Sequence, residues 1–101
     1  MSEVRHRLRG SGRGAEYAYL RGGDLVVEWY DFGDDAPYES ANLLILDGTG
    51  QRALAAAMGA DAAPPGDLAA KVAAEFASWF ELRAFLDAWG ITARSETDFQ
   101  P

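Results

Sequence analysis

Four carboxylates fall in the segment Asp31-Phe-Gly-Asp-Asp-Ala-Pro-Tyr-Glu39, at Asp31, Asp34, Asp35 and Glu39. Oxygen ligands of this kind suit Ca²⁺ or Mg²⁺ when several converge on one point. Their spacing does not reproduce an EF-hand loop, whose carboxylates and glycine stand at fixed offsets. Asp, Gly and Pro are also the ordinary composition of a turn. A solvated turn between two strands is therefore the preferred reading, with a cation site at these four carboxylates as its alternative. The tripeptide Asp31-Phe32-Gly33 imitates the metal-binding motif of protein kinases. Neither the catalytic-loop motif nor the strand lysine accompanies it, so the match carries no chemistry.

Other reactive groups are sparse. His6 is the single histidine and cysteine is absent, which leaves no thiol nucleophile, no thiolate metal site and no multi-histidine site within the chain. Glu28, between tyrosines, is the best candidate for a carboxylate with a raised pKa and acid–base work. A polar residue on a solvated face explains it more simply. Gly10-Ser-Gly-Arg-Gly14 resembles a phosphate cradle only in composition: such loops present N–H groups at the start of a helix, and a strand-like run follows here.

The elements that would position these groups are legible from periodicity. Leu25 to Phe32 is rich in β-branched and aromatic residues and follows Gly22-Gly23, the signal of a two-residue type I′ hairpin. Pairing Arg21 with Asp24 sets Leu20 opposite Leu25, Tyr19 opposite Val26, Ala18 opposite Val27 and Tyr17 opposite Glu28. Alternation then puts Ala18, Leu20, Leu25, Val27 and Trp29 on one face, assigned to the core. Tyr17, Tyr19, Val26, Glu28, Tyr30 and Phe32 take the other. Asn42 to Leu46 has no polar alternation and reads as a strand covered on both sides. Val4 to Arg9 alternates as a half-buried strand, with Val4, His6 and Leu8 inward and Arg5, Arg7 and Arg9 outward towards acidic cross-strand partners.

After Asp47 the period becomes helical. Asp47 or Thr49 caps a helix through Leu54 and Met58, which Gly59 stops. Asp67 is expected to cap a second helix with the stripe Leu68, Val72 and Phe76. Ser78 and Glu81 form a capping box for a third, ended by Gly90. Ile91 to Arg94 reads as a short returning strand before a polar tail. Residues 1–101 thus predict a single α+β domain: an antiparallel meander of four to five strands with two to three helices packed mainly on one face.

A chain of 101 residues can build one core. No window reaches the length of apolar chain that crosses a membrane, and the first residues lack the apolar run of a signal peptide. The net charge of −7 divides unevenly. Residues 1–14 carry +3 and residues 15–101 carry −10, an acidic body that disfavours nucleic acid and anionic membrane and favours basic partners. Eight arginines to one lysine, with nineteen alanines, suit a GC-rich bacterial genome.

These features point to an acidic cytoplasmic bacterial protein that is not an enzyme and uses no cofactor. The expected role is a protein-binding or regulatory module that engages another protein or itself. Tyr17, Tyr19, Glu28, Tyr30, Phe32 and Tyr38 are its expected contact residues, because tyrosine offers large apolar area with a polar tip. A metal-dependent small-ligand binder or small enzyme using the carboxylates of residues 28–39 is the alternative.

Overall fold

The computed structural model describes residues 5–8, 15–31, 39–59 and 65–100. Among them, five strands form one antiparallel sheet in sequential order: β1 (His6–Arg7), β2 (Ala15–Arg21), β3 (Asp24–Asp31), β4 (Glu39–Leu46) and β5 (Arg94–Gln100). Three helices, α1 (Gly48–Ala57), α2 (Pro65–Glu75) and α3 (Trp79–Trp89), lie between β4 and β5 in the chain. This is the meander with three helices that the periodicity implies.

The β2–β3 register is the one counted from the two glycines, with Arg21 opposite Asp24 and Tyr17 opposite Glu28. Gly22 and Gly23 have φ of +58° and +87°, the conformation that a type I′ turn demands and that glycine adopts without steric penalty. The turn thereby fixes which side chains face the helices. Ala18, Leu25, Val27, Leu44 and Leu46 form one cluster with Leu54 of α1, Val72 of α2 and Leu82 of α3, all buried. Leu8 joins that cluster, and its N–H donates to the Glu16 carbonyl at 2.9 Å.

Helix ends follow local chemistry. Asp47 accepts the Gly50 N–H at 2.9 Å, and Ser78 accepts the Glu81 N–H at 3.1 Å. Each bond satisfies a donor that the first turn leaves without a partner. Gly90 closes α3 in the left-handed region. The Gln51 amide donates to the carbonyls of Gly23 at 2.8 Å and Leu46 at 3.0 Å, tying α1 to the hairpin turn and to the end of β4.

Three expectations need correction. The second helix starts at Pro65, two residues before Asp67. Proline is at home in a first helical turn, where its missing N–H has no intrahelical acceptor to lose. The returning strand is Arg94–Gln100 rather than 91–94: the polar tail is itself the strand, while Ile91 and Ala93 pack against the core ahead of it. The first strand spans only His6–Arg7, and Val4 and Arg9 lie outside the described residues.

Candidate interaction surface

The two faces of the sheet differ. Every helix contributes to the cluster on one face, whereas the cluster on the other consists of strand residues alone: Tyr19, Val26 and Ile45, with Tyr17 and Leu43 packed against them. Registers align this second face in rows. One row runs Arg7, Tyr17, Glu28, Leu43 and Glu96 from β1 to β5; Tyr19, Val26, Ile45 and Arg94 lie in the neighbouring row. Tyr17, Glu28, Tyr30 and Leu43 are half-buried, and Arg7, Arg94 and Glu96 are exposed.

Tyr19 departs from the expected contact role. It is fully buried, with the Arg5 guanidinium 4.4 Å and that of Arg21 5.2 Å from its ring centre. Its hydroxyl donates to Glu28 Oε1 at 2.9 Å, and Arg5 Nη1 reaches Glu28 Oε2 at 3.4 Å. Burial, reinforced by the hydrogen bond and the charge of Glu28, pushes the Tyr19 phenol up to about 12, against the opposing pull of Arg21 and Arg5. Tyr19 is thus the floor of the surface. Strand alternation makes Arg5 outward-facing with an acidic cross-strand partner, and Glu28 is that partner. Glu28 is therefore held as an acceptor by its neighbours.

Phe32, Asp34, Asp35 and Tyr38 lie outside the described residues, and Asp31 and Glu39 are placed only by their backbones, opposite Ser40 and Gln100. Among the described residues no group of three or more His, Asp or Glu converges as metal ligands. His6 sits opposite Ala18, on the face that carries the helices.

Sequence reasoning passed over two features. Leu43 belongs to the second face, a position that follows from extending the register count from β3 to β4. Glu16 is buried on the helix side and accepts the Trp79 N–H at 2.7 Å; nothing in its local sequence separates it from a solvent-facing strand carboxylate. On that side Phe80 and Trp89 are 53% and 60% exposed, and Phe80 stands edge-on to Trp29 at 4.7 Å. Two shallow grooves of about 170 and 180 Å³ are bounded by Asp24, Ile45, Thr92 and Arg94, and by Met58, Glu75, Phe76 and Phe85.

Fold and surface together define a small α+β domain whose sheet is covered by helices on one side and lined by tyrosine, arginine and aliphatic side chains on the other. No family model, curated protein or solved structure matches the chain. Among the described residues no helix is long and apolar enough to cross a membrane.

Proposed function

We propose that this protein is a non-enzymatic binding or regulatory module that engages another protein, or a second copy of itself, through the sheet face bearing Tyr17, Glu28, Tyr30 and Leu43. The observation that carries the reading is the half-exposure of these residues on a face to which no helix contributes among the described residues. Tyrosine and arginine are residue types enriched where protein surfaces dock, and tyrosine offers large contact area at low cost in conformational entropy. The buried Tyr19, hydrogen-bonded to the Glu28 of the Arg5–Glu28 ion pair, gives that face a fixed floor. The lack of cysteine fits a reducing compartment, and the proposed setting is the bacterial cytoplasm.

Association measured by sedimentation velocity and by affinity capture tests the proposal. Tyr30→Ala and Glu28→Lys weaken association, whereas Phe80→Ala on the helix side leaves it intact, each variant having first been shown to be folded by circular dichroism. Unchanged association in both face variants would overturn the reading.

A further inference from the structure

The row that crosses the second face is complementary to its own reverse. Read from β1 it runs Arg7, Tyr17, Glu28, Leu43, Glu96. A two-fold axis lying parallel to the strands over β3 sets β1 of one copy over β5 of the other, and β2 over β4. Arg7 then meets Glu96 of the second copy, Tyr17 meets Leu43, and both contacts occur twice, as an isologous interface requires. From this row we infer that the surface binds a second copy of the same chain, face to face, through reciprocal Arg7–Glu96 ion pairs flanking Tyr17–Leu43 contacts.

Three charges that this axis sets against like charges, Arg5, Arg94 and Glu28, are each partnered within the chain. Arg5 lies in the row of Arg94, where the same axis would bring like charges together. Each already has a partner within its own chain: Arg5 reaches Glu28 at 3.4 Å and Arg94 reaches Glu96 at 3.2 Å. Glu28 falls on the axis, facing its own copy. Its two oxygens take the Tyr19 hydroxyl and the Arg5 guanidinium, which compensates its charge from within. The Glu96 side chain is 51% exposed while paired to Arg94, so it has room for a second cation, and a carboxylate offers about four acceptor sites.

Size sets the strength. With strands about 4.8 Å apart and about 3.3 Å per residue, the two residues of β1 and the seven or eight of each other strand give a face of roughly 500 Å², so two copies bury about 1,000 Å². That value sits at the lower bound for a specific protein interface, and the expected dimer is weak and dependent on concentration. Stacked sheets stand about 10 Å apart with strands within about 30° of parallel, a gap that Arg and Glu side chains can bridge.

The inference rests on the proposed use of this face, and charge exchange separates the two. Arg7→Glu and Glu96→Arg, each alone, place two like-charged contacts in the dimer and are expected to weaken it roughly tenfold or more in sedimentation equilibrium. The double variant restores association. An equimolar mixture of the two single variants does so too, because a mixed pair recreates both attractive contacts. Single variants that associate like wild type, or a double variant that fails to recover, overturn the arrangement. So does a dimer that survives Leu43→Glu, which would indicate pairing at a strand edge. A chain that remains monomeric at high micromolar concentration, yet captures a different protein in a Tyr30-dependent way, sinks the second copy as partner and leaves the proposed function standing. Loss of both removes both.

Discussion

The Glu16 carboxylate accepts the backbone N–H of Trp79 at 2.7 Å with both residues buried, so a side chain from β2 satisfies a first-turn donor of α3. Ser78 supplies the neighbouring cap. The third helix is therefore attached to the sheet at its N-terminus by a charge-assisted bond, and the helix dipole favours the negative charge placed there.

Removing that acceptor leaves a buried N–H unpaired. Glu16→Ala is expected to lower unfolding free energy by about 1.5–3 kcal/mol, the range for hydrogen bonds involving a charged group. Glu16→Gln, whose amide oxygen can still accept, is expected to lose roughly half of that. Urea denaturation of the three proteins measures both values, and equal losses for Ala and Gln would refute the bond as the cause.

Tyr19 makes stability depend on alkaline pH. Its phenol titrates at about 12 in the folded protein, above the value of about 10 for an unfolded chain. The proton is held more tightly in the folded state, so this contribution is complete below pH 10 and disappears as the pH rises from 10 towards 12. The gap between those two values sets a ceiling of about 2.7 kcal/mol on it, and solvent screening at the sheet surface keeps the realised figure lower. Tyr19→Phe is expected to be less stable at neutral pH by about 1 kcal/mol, and its urea midpoint falls less steeply above pH 10 than that of the wild type. Parallel alkaline limbs would refute the assignment.

Gln51 joins three elements through one amide. Its Nε2 bonds the Gly23 and Leu46 carbonyls while the residue is 7% exposed. Gln51→Leu keeps much of the volume but leaves both carbonyls without that donor, and about 1–3 kcal/mol of stability is expected to go with it. Hydrogen exchange at the Gly22–Gly23 turn should quicken in the variant. Stability equal to wild type would mean that water replaces the amide without loss.

The physics of single elements was legible in the chain. Two glycines with positive φ fix a hairpin and therefore a parity, which is why the pairing of Tyr17 with Glu28 and the inward course of Val27 follow from counting. Ser78, Asp47 and Gly90 end or begin helices through bonds within their own turn, and such bonds are local by nature. A returning strand was legible but the extent of β5 was not, because it is exposed: Arg94, Ser95, Glu96 and Thr97 all face solvent, so no apolar alternation marks its course.

The sequence by itself determined an α+β meander, the face on which Tyr17, Tyr19, Glu28 and Tyr30 sit, and the outward course of Arg5. Tertiary structure alone decided that Tyr19 is enclosed while Tyr17 and Tyr30 remain half-exposed, that Glu16 serves α3, and that Arg7 and Glu96 stand at opposite ends of one row. Periodicity along a strand assigns a side chain to a face. What covers that side chain depends on neighbours far away in the chain, whose placement is set by packing rather than by local sequence.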